Sequence, residues 1–254
     1  MSEVKRLLIV VRTYPDLSTK YDETVCTAGI DEAGSWFRLY PVPLRYLAQE
    51  QRYRVGSIVR AKLSINPNDD RPESRKPDLL SLAVDKIKPS LPARHDWIVA
   101  GKTFASLNEM KAERRSIGPV AVSEVLEFIA EPQSAEWSAR EEKILAQEML
   151  HTQRLDLQKI PFKFRVRWKD ADGAEQTNTF RSWEVCQTWR QWHHKYGPDE
   201  AVPRIRDKWL GEVWPSGRDV RFFLGNLADP VKRGVFHLTG SRTTPKGAHE
   251  AALF

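Results

Sequence analysis

The apolar run LLIVV at 7–11 is unbroken and closes on β-branched residues, which predicts a strand buried on both faces. Pro15 and the small polar residues around it then break the pattern into a loop. Strands at 24–30 and 36–42 flank the turn DEAGS, so the pair reads as a hairpin that Pro41 and Pro43 end. LRYLAQEQ (44–51) suits a short helix, and the runs at 56–65 and 79–87 suit two further strands. Between those strands, 66–78 carries three prolines and no large apolar residue, the composition of a mobile charged loop. KTFASLNEMKAERR (102–115) reads as a helix and GPVAVSEVLEFIAEP (118–132) as a long strand. Ser138 followed by Glu141 is a capping-box signature ahead of a helix over 140–150. IPFKFRVRWKDADGAEQTNTF (160–180) predicts a hairpin turning at 170–173. Ser182 then caps a helix in which Val185, Trp189, Trp192 and Tyr196 repeat at helical spacing. A further helical stretch over 199–213 and two strands, DVRFFLGN and GVFHLTG, complete the pattern.

Many short strands with interspersed helices predict an α+β chain built on small curved or barrel-like, mostly antiparallel sheets. The expected division is an N-terminal β-rich, OB-like part at 1–130, a helical connection at 131–158 and a hairpin-helix-hairpin part at 159–254; one fused domain is the alternative. Nine tryptophans and 41% hydrophobic residues in 254 positions supply a sizeable core and exclude a disordered chain. The two cysteines, Cys26 and Cys186, lie far apart in apolar contexts, so reduced thiols of a cytoplasmic protein are expected. The N-terminal apolar run is too short for a signal peptide or a membrane span, so no membrane association is expected. Forty basic against 34 acidic side chains leave a net charge of +6, which favours a polyanionic partner.

The distribution of that charge directs attention to 162–169. Phe162, Phe164, Val166 and Trp168 share one strand face, and Lys163, Arg165, Arg167 and Lys169 share the other. Four cations in a row span roughly 20 Å, enough to track several phosphates. The competing reading is a solvated face whose charges pair across the sheet with acids such as Glu175. In the first hairpin, Trp36, Arg38 and Tyr40 alternate with Phe37, Leu39 and Pro41. If the second set packs inward, the first presents the equipment of a base-stacking platform; the alternative is a second buried layer. Lys20, Tyr21 and Arg45 flank this hairpin, and Arg71 and Arg75 in the charged loop are further candidates to meet a phosphate. Asp22 and Glu23, neighbours on a strand, point to opposite faces, so at most one carboxylate looks into a given site.

Three motifs are excluded or marginal. Gly101-Lys102-Thr103 ends like a phosphate-cradling loop, but the glycine needed at its head is Asp96, which excludes a nucleotide triphosphatase of that kind. His193 and His194 diverge by about 100° on a helix, so they do not make a metal site with Cys186, and no cofactor is expected. Asp78 and Asp85 come near a nuclease pattern, but Lys86 and Lys88 are each one place off.

Cys26, Ala28, Gly29, Gly34, Trp36 and Arg38 follow the order in which bacterial proteins with paired OB-like barrels open. The sequence departs from them in the LYP that follows Arg38. The wider string RTYPDLSTKYDETVCTAGI, with IPFKFRVRW and RSWEV, resembles a bacterial family associated with phage defence, whose relatives include a glycosylase that removes glucosylated hydroxymethylcytosine from DNA. The resemblance implies a DNA-binding protein of antiviral defence acting on modified bases, a hydrolase that flips its target base. In that reading Glu23 or Asp22 stabilises the oxocarbenium-like sugar. The rival classes are a non-catalytic barrel module binding nucleic acid or a nucleotide, a nuclease, and a protein whose basic faces dock an acidic subunit.

Overall fold

The computed structural model describes residues 2–18, 22–87, 89–148 and 157–245. The chain forms two compact units with interleaved segments: Met1–Gly101 with Gln133–Pro161, and Lys102–Pro132 with Phe162–Phe254. The long strand expected in the N-terminal part therefore belongs to the second unit, and the segment expected as a connection belongs to the first. The helices among the described residues are α1 (Leu91–Ala100), α2 (Leu107–Ala112), α3 (Ala139–Glu148), α4 (Trp183–Tyr196) and α5 (Pro198–Asp207). The architecture is α+β on small, curved, mostly antiparallel sheets, in agreement with the patterning.

The first unit is organised by β1 (Ser2–Arg12), β2 (Asp16–Ser18), β3 (Asp22–Thr24), β4 (Thr27–Ile30), β5 (Trp36–Leu39), β6 (Ile58–Ile65), β7 (Ser74–Pro77) and β8 (Ala83–Val84). Five of these strands close a mixed barrel in the order β1-β4-β5-β7-β6, with β6 pairing back to β1. All its pairings are antiparallel except β5 with β7. Leu7 to Val11 are buried without a break, as their pattern predicts, and the pairing with β4 shifts register between Ile9 and Val11. Leu7, Ile9, Phe37, Leu39, Val59, Ala61 and Leu63 fill the core. The turn between β4 and β5 depends on Asp31, whose carboxylate accepts from the Ala33 and Ser35 amides, and on Gly34 at φ 76°. A β-carbon at Gly34 would lie 2.1 Å from the Gly101 nitrogen, so only glycine fits.

Three local expectations fail for identifiable reasons. The helix expected at 44–51 is two short 3₁₀ turns, because Leu47 between them is extended (φ −65°, ψ 153°). The strand expected at 79–87 shrinks to β8 after a 3₁₀ turn at Leu79–Ser81, capped by Asp78. The loop expected at 66–78 instead supplies β7 and five buried polar residues, Asn66, Asp69, Arg71, Glu73 and Ser74.

The second unit is a five-stranded antiparallel sheet in the order β11-β10-β9-β12-β13. Its strands are β9 (Ile117–Pro132), β10 (Phe162–Asp170), β11 (Glu175–Thr179), β12 (Arg218–Asn226) and β13 (Phe236–Pro245). The sheet curls until its edges meet at a bridge between Phe180 and Leu238. Phe128, Phe164, Trp168, Phe180 and Phe222 form an aromatic layer with Trp209 and Trp214, which follow α5. Offset and edge-on pairs of this kind add about 0.5–1.5 kcal/mol each beyond the area they bury. The fully buried Trp168 donates its indole N–H to Asn178 Oδ1 at 2.8 Å, and the Asn178 amide donates to the Phe236 carbonyl at 2.8 Å. Every polar atom in that chain finds a partner, as burial requires.

Candidate nucleic-acid interface

In the first unit the hairpin does not present the expected platform. Phe37 and Leu39 turn into the barrel core, so Arg38 faces the other way, yet it is only 1% exposed. The segment carrying Asp69, Arg71 and Glu73 folds over it: the Arg38 amide donates to the Glu73 carbonyl at 2.8 Å, and its guanidinium reaches Cys26 Sγ at 3.4 Å. Burial lowers the Arg38 guanidinium to about 10, reinforced by the nearby Arg71 charge and opposed by Cys26, Glu73 and Asp69. It is still a cation at neutral pH, but one that a polymer's phosphates cannot reach. Trp36 and Tyr40 are half-buried on either side of it.

Arg71 is likewise enclosed. Its Nε donates to both Asp69 oxygens at 2.8 and 3.1 Å and its Nη2 to Oδ2 at 2.6 Å, while Ser74 Oγ donates to Oδ2 at 2.7 Å. Burial by itself would raise the Asp69 carboxyl, but these bonds outweigh it and hold the group below the usual carboxylate range. Arg75 bends back to the Pro72 and Ser74 carbonyls and stacks 5.9 Å from the Phe37 ring centroid.

Glu23 is fully buried, and Arg45 Nε and Nη2 both donate to its Oε2 at 2.7 Å. A carboxylate closed off from solvent beside its own cation cannot orient an attacking water, which removes the glycosylase role expected of it. Arg45, committed to Glu23, is not a phosphate contact either. Asp22 belongs to β3, and its side chain lies outside the described residues, as do Lys20 and Tyr21 altogether.

In the second unit the cationic stripe is present but answered. Arg165 pairs with Glu131 at 2.8 Å, Arg167 with Glu127 at 3.2 Å and Glu175 at 3.1 Å, and Lys169 with Glu124 at 2.9 Å. Three of these acids come from β9, which lies beside β10 in the sheet. Like charges at every second position of β10 repel one another, and the neighbouring strand of opposite sign relieves that repulsion. Lys163 differs: it is exposed and forms no ion pair among the described residues.

An aromatic and cationic arrangement does occur, on the helices. Val185 and Trp189 of α4 are buried, but the same stripe runs out towards solvent at Trp192 and Tyr196. The two rings meet edge-on with centroids 6.0 Å apart. Arg204 of α5 lies 4.4 Å from the Tyr196 centroid, Lys195 lies 4.9 Å from it, and Lys208 lies 5.1 Å from Trp192. A hydrogen bond with Lys195, and then the charges of Lys195 and Arg204, pull the Tyr196 hydroxyl below its ordinary pKa. Arg204 also pairs with Glu200 at 3.2 Å. The sequence pattern put Trp192 and Tyr196 on one helical stripe without giving them a role; the available signal was the set of three lysines and arginines one helical turn or one helix away.

Among the described residues no helix is long and apolar enough to cross a membrane, and no three histidine, cysteine or carboxylate side chains gather as a metal-ion group. Residues 100–254 match a domain of unknown function, DUF8757, and residues 3–100 match a second, DUF8758. The former spans more than half of the chain, which therefore belongs to the DUF8757 family. The junction of the two matches, at residue 100, falls beside the start of the second unit at Lys102. No curated protein matches the sequence.

Proposed function

We propose that this DUF8757 chain is a non-catalytic DNA-binding protein that takes unstacked bases against the α4–α5 face. The observation that carries the reading is the Trp192–Tyr196 pair with Lys195, Arg204 and Lys208 around it. Rings accept bases whatever their sequence, and adjacent cations hold the phosphates between them. The net charge of +6 agrees with a polyanionic partner. Base excision through Glu23 is not part of the reading, because Arg45 seals that carboxylate.

Fluorescence anisotropy with labelled single- and double-stranded oligonucleotides tests it. Single strands are expected to bind more tightly. Three phosphate contacts on a single strand imply a slope of log K against log salt of about −2. Truncating Trp192 and Tyr196 together is expected to cost about 1–3 kcal/mol per stacked base, whereas Arg167→Gln changes affinity less than about twofold, since Arg167 is committed to Glu127 and Glu175. Binding that ignores salt, or that survives the aromatic double variant, would overturn the proposal.

A further inference from the structure

Two segments far apart in sequence meet at one end of the sheet in the second unit. β12 ends at Asn226 and β13 starts at Phe236, and the loop between them continues past the last ladder pairs, Gly225 with Ile117 and Asn226 with Phe236. The Asn226 amide donates to the Ser116 carbonyl at 2.9 Å, which sets the end of α2 beside the base of that loop. Lys111 of α2 accordingly holds its Nζ 5.7 Å from the Phe236 ring centroid.

The charge gathered there is one-sided. Lys111, Arg114 and Lys232 are all exposed. The acids of the same two segments are committed: Glu109 and Glu113 both pair with Lys102, and the Asp229 carboxylate accepts from the Val231 amide at 3.0 Å. Lys232 reaches Asp229 only at 4.0 Å, and Lys111 and Arg114 have no ion pair among the described residues. Arg114 also lies in the left-handed region, at φ 56°, directly after the Glu113 cap of α2. Glycine usually takes that position at a helix end, because a β-carbon there is strained. An arginine in its place costs stability, and among the described residues its side chain makes no bond that offsets the strain.

The loop itself is braced. The Asp229, Pro230 and Lys232 carbonyls accept from the Lys232, Arg233 and Val235 amides at 3.0, 3.3 and 2.9 Å. The Arg233 guanidinium folds back onto the Ala228 carbonyl at 2.9 Å, and the Asn226 side chain donates to the Arg233 carbonyl at 3.1 Å. Pro230 is nonetheless exposed, and Val231 is 92% exposed. A stiff turn with a bare aliphatic tip among cations matches a surface that alternates phosphates with small apolar groups. Its two small aliphatic residues are too little apolar area to anchor a protein in a bilayer or to form the core of a stable protein interface. Nucleic acid takes its affinity from phosphates and needs no more apolar contact than this.

We propose that this end of the second unit docks into the major groove of duplex DNA. The groove is about 12 Å wide and admits a two-stranded β-ribbon. Lys111, Arg114 and Lys232 meet phosphates along its edges, and Val231 meets the C5-methyl groups of thymines, which the major groove exposes. α5 meets β9 towards the other end of that strand, where Arg206 Nε donates to the Phe128 carbonyl at 3.3 Å. The surface is therefore separate from the α4–α5 face, and the inference goes beyond the reading of that face.

Fluorescence anisotropy on the full chain compares a short thymine-containing duplex with the same duplex carrying deoxyuridine, which lacks the methyl group. The parent is expected to bind the thymine duplex about fourfold more tightly for each methyl contacted, and Val231→Gly to lose that preference. Arg114→Gly and Lys111→Ala are expected to weaken both duplexes alike, each lowering the slope of log K against log salt by about 0.9. Arg114→Gly separates contact from fold: glycine relieves the positive φ, so the melting temperature is expected to rise while binding falls. Equal affinity of the parent for the two duplexes refutes the docking, and so does a salt slope that Arg114→Gly and Lys111→Ala leave unchanged. Loss of binding to phosphatidylserine vesicles, but not to duplex, in Arg114→Gly gives the surface to a membrane and refutes it equally. Replacing Trp192 and Tyr196 lowers single-strand affinity but leaves the thymine preference intact, so failure of either reading shows separately.

Discussion

Replacing Asp69 by alanine removes the carboxylate that holds Arg71 and Ser74 and leaves a buried guanidinium beside a second one, Arg38. Breaking a buried pair by deleting one partner costs about 3–5 kcal/mol, because the remaining charge stays desolvated and uncompensated. That is a large share of a typical domain's stability of about 5–15 kcal/mol. The exposed pair Arg167–Glu127 provides the control: Glu127→Ala is expected to cost at most about 1 kcal/mol. Urea denaturation of the full chain measures both, and hydrogen exchange of the β5 amides locates the loss in the first unit. Acid adds a signed test. The Asp69 pKa is depressed in the folded protein, so its stabilisation is fully present above the unfolded value of about 3.9 and is lost as pH falls through the folded value. Asp69→Asn is therefore expected to flatten the loss of stability below about pH 4 while lowering stability at pH 7. If Asp69→Ala costs no more than Glu127→Ala, the buried pair is not what holds this segment and the reasoning fails.

Two further substitutions follow from the same geometry. Gly34→Ala is expected to destabilise the full chain by about 1–3 kcal/mol in urea titrations, since its positive φ and its contact with Gly101 both exclude a β-carbon. Glu23→Gln should lower the melting temperature by removing the negative charge that Arg45 pairs with, while leaving oligonucleotide affinity within about twofold of the parent; a loss of binding with unchanged stability would return Glu23 to the functional surface.

Local patterns made much of the fold legible. The apolar run of β1, the alternation in β10, the Ser138–Glu141 capping box and the Ser182 cap each depend on residues within a few positions of one another, and each is found where spacing puts it. The candidate site was less legible because its determinants are not local. Alternation correctly placed Arg165, Arg167 and Lys169 on one face, but could not show that β9 would set Glu131, Glu127 and Glu124 beside them from more than 30 residues away. The same holds for Arg38. Its alternation with Phe37 and Leu39 is as expected, and only the fold of a segment beyond residue 65 decides that the far side of β5 is covered.

That cover bears on how the barrel closes. Four of its five seams are antiparallel, and the β1–β6 ladder alone joins seven residue pairs, whereas the parallel β5–β7 seam has two register pairs, Arg38 with Ser74 and Leu39 with Arg75. Two pairs supply little ladder to fix a register. Side chains give the incoming segment its shape: Ser74, opposite Arg38 in the seam, donates to Asp69, and Asp69 accepts hydrogen bonds from the Arg71 guanidinium and amide. These bonds lie within 69–74 and shape the segment that leads into β7, while the Arg38 amide to Glu73 carbonyl and the Tyr40 amide to Arg75 carbonyl bonds set its register against β5. On this argument the charged composition of 66–78, which from sequence suggests a solvated loop, is what lets so short a strand close the barrel.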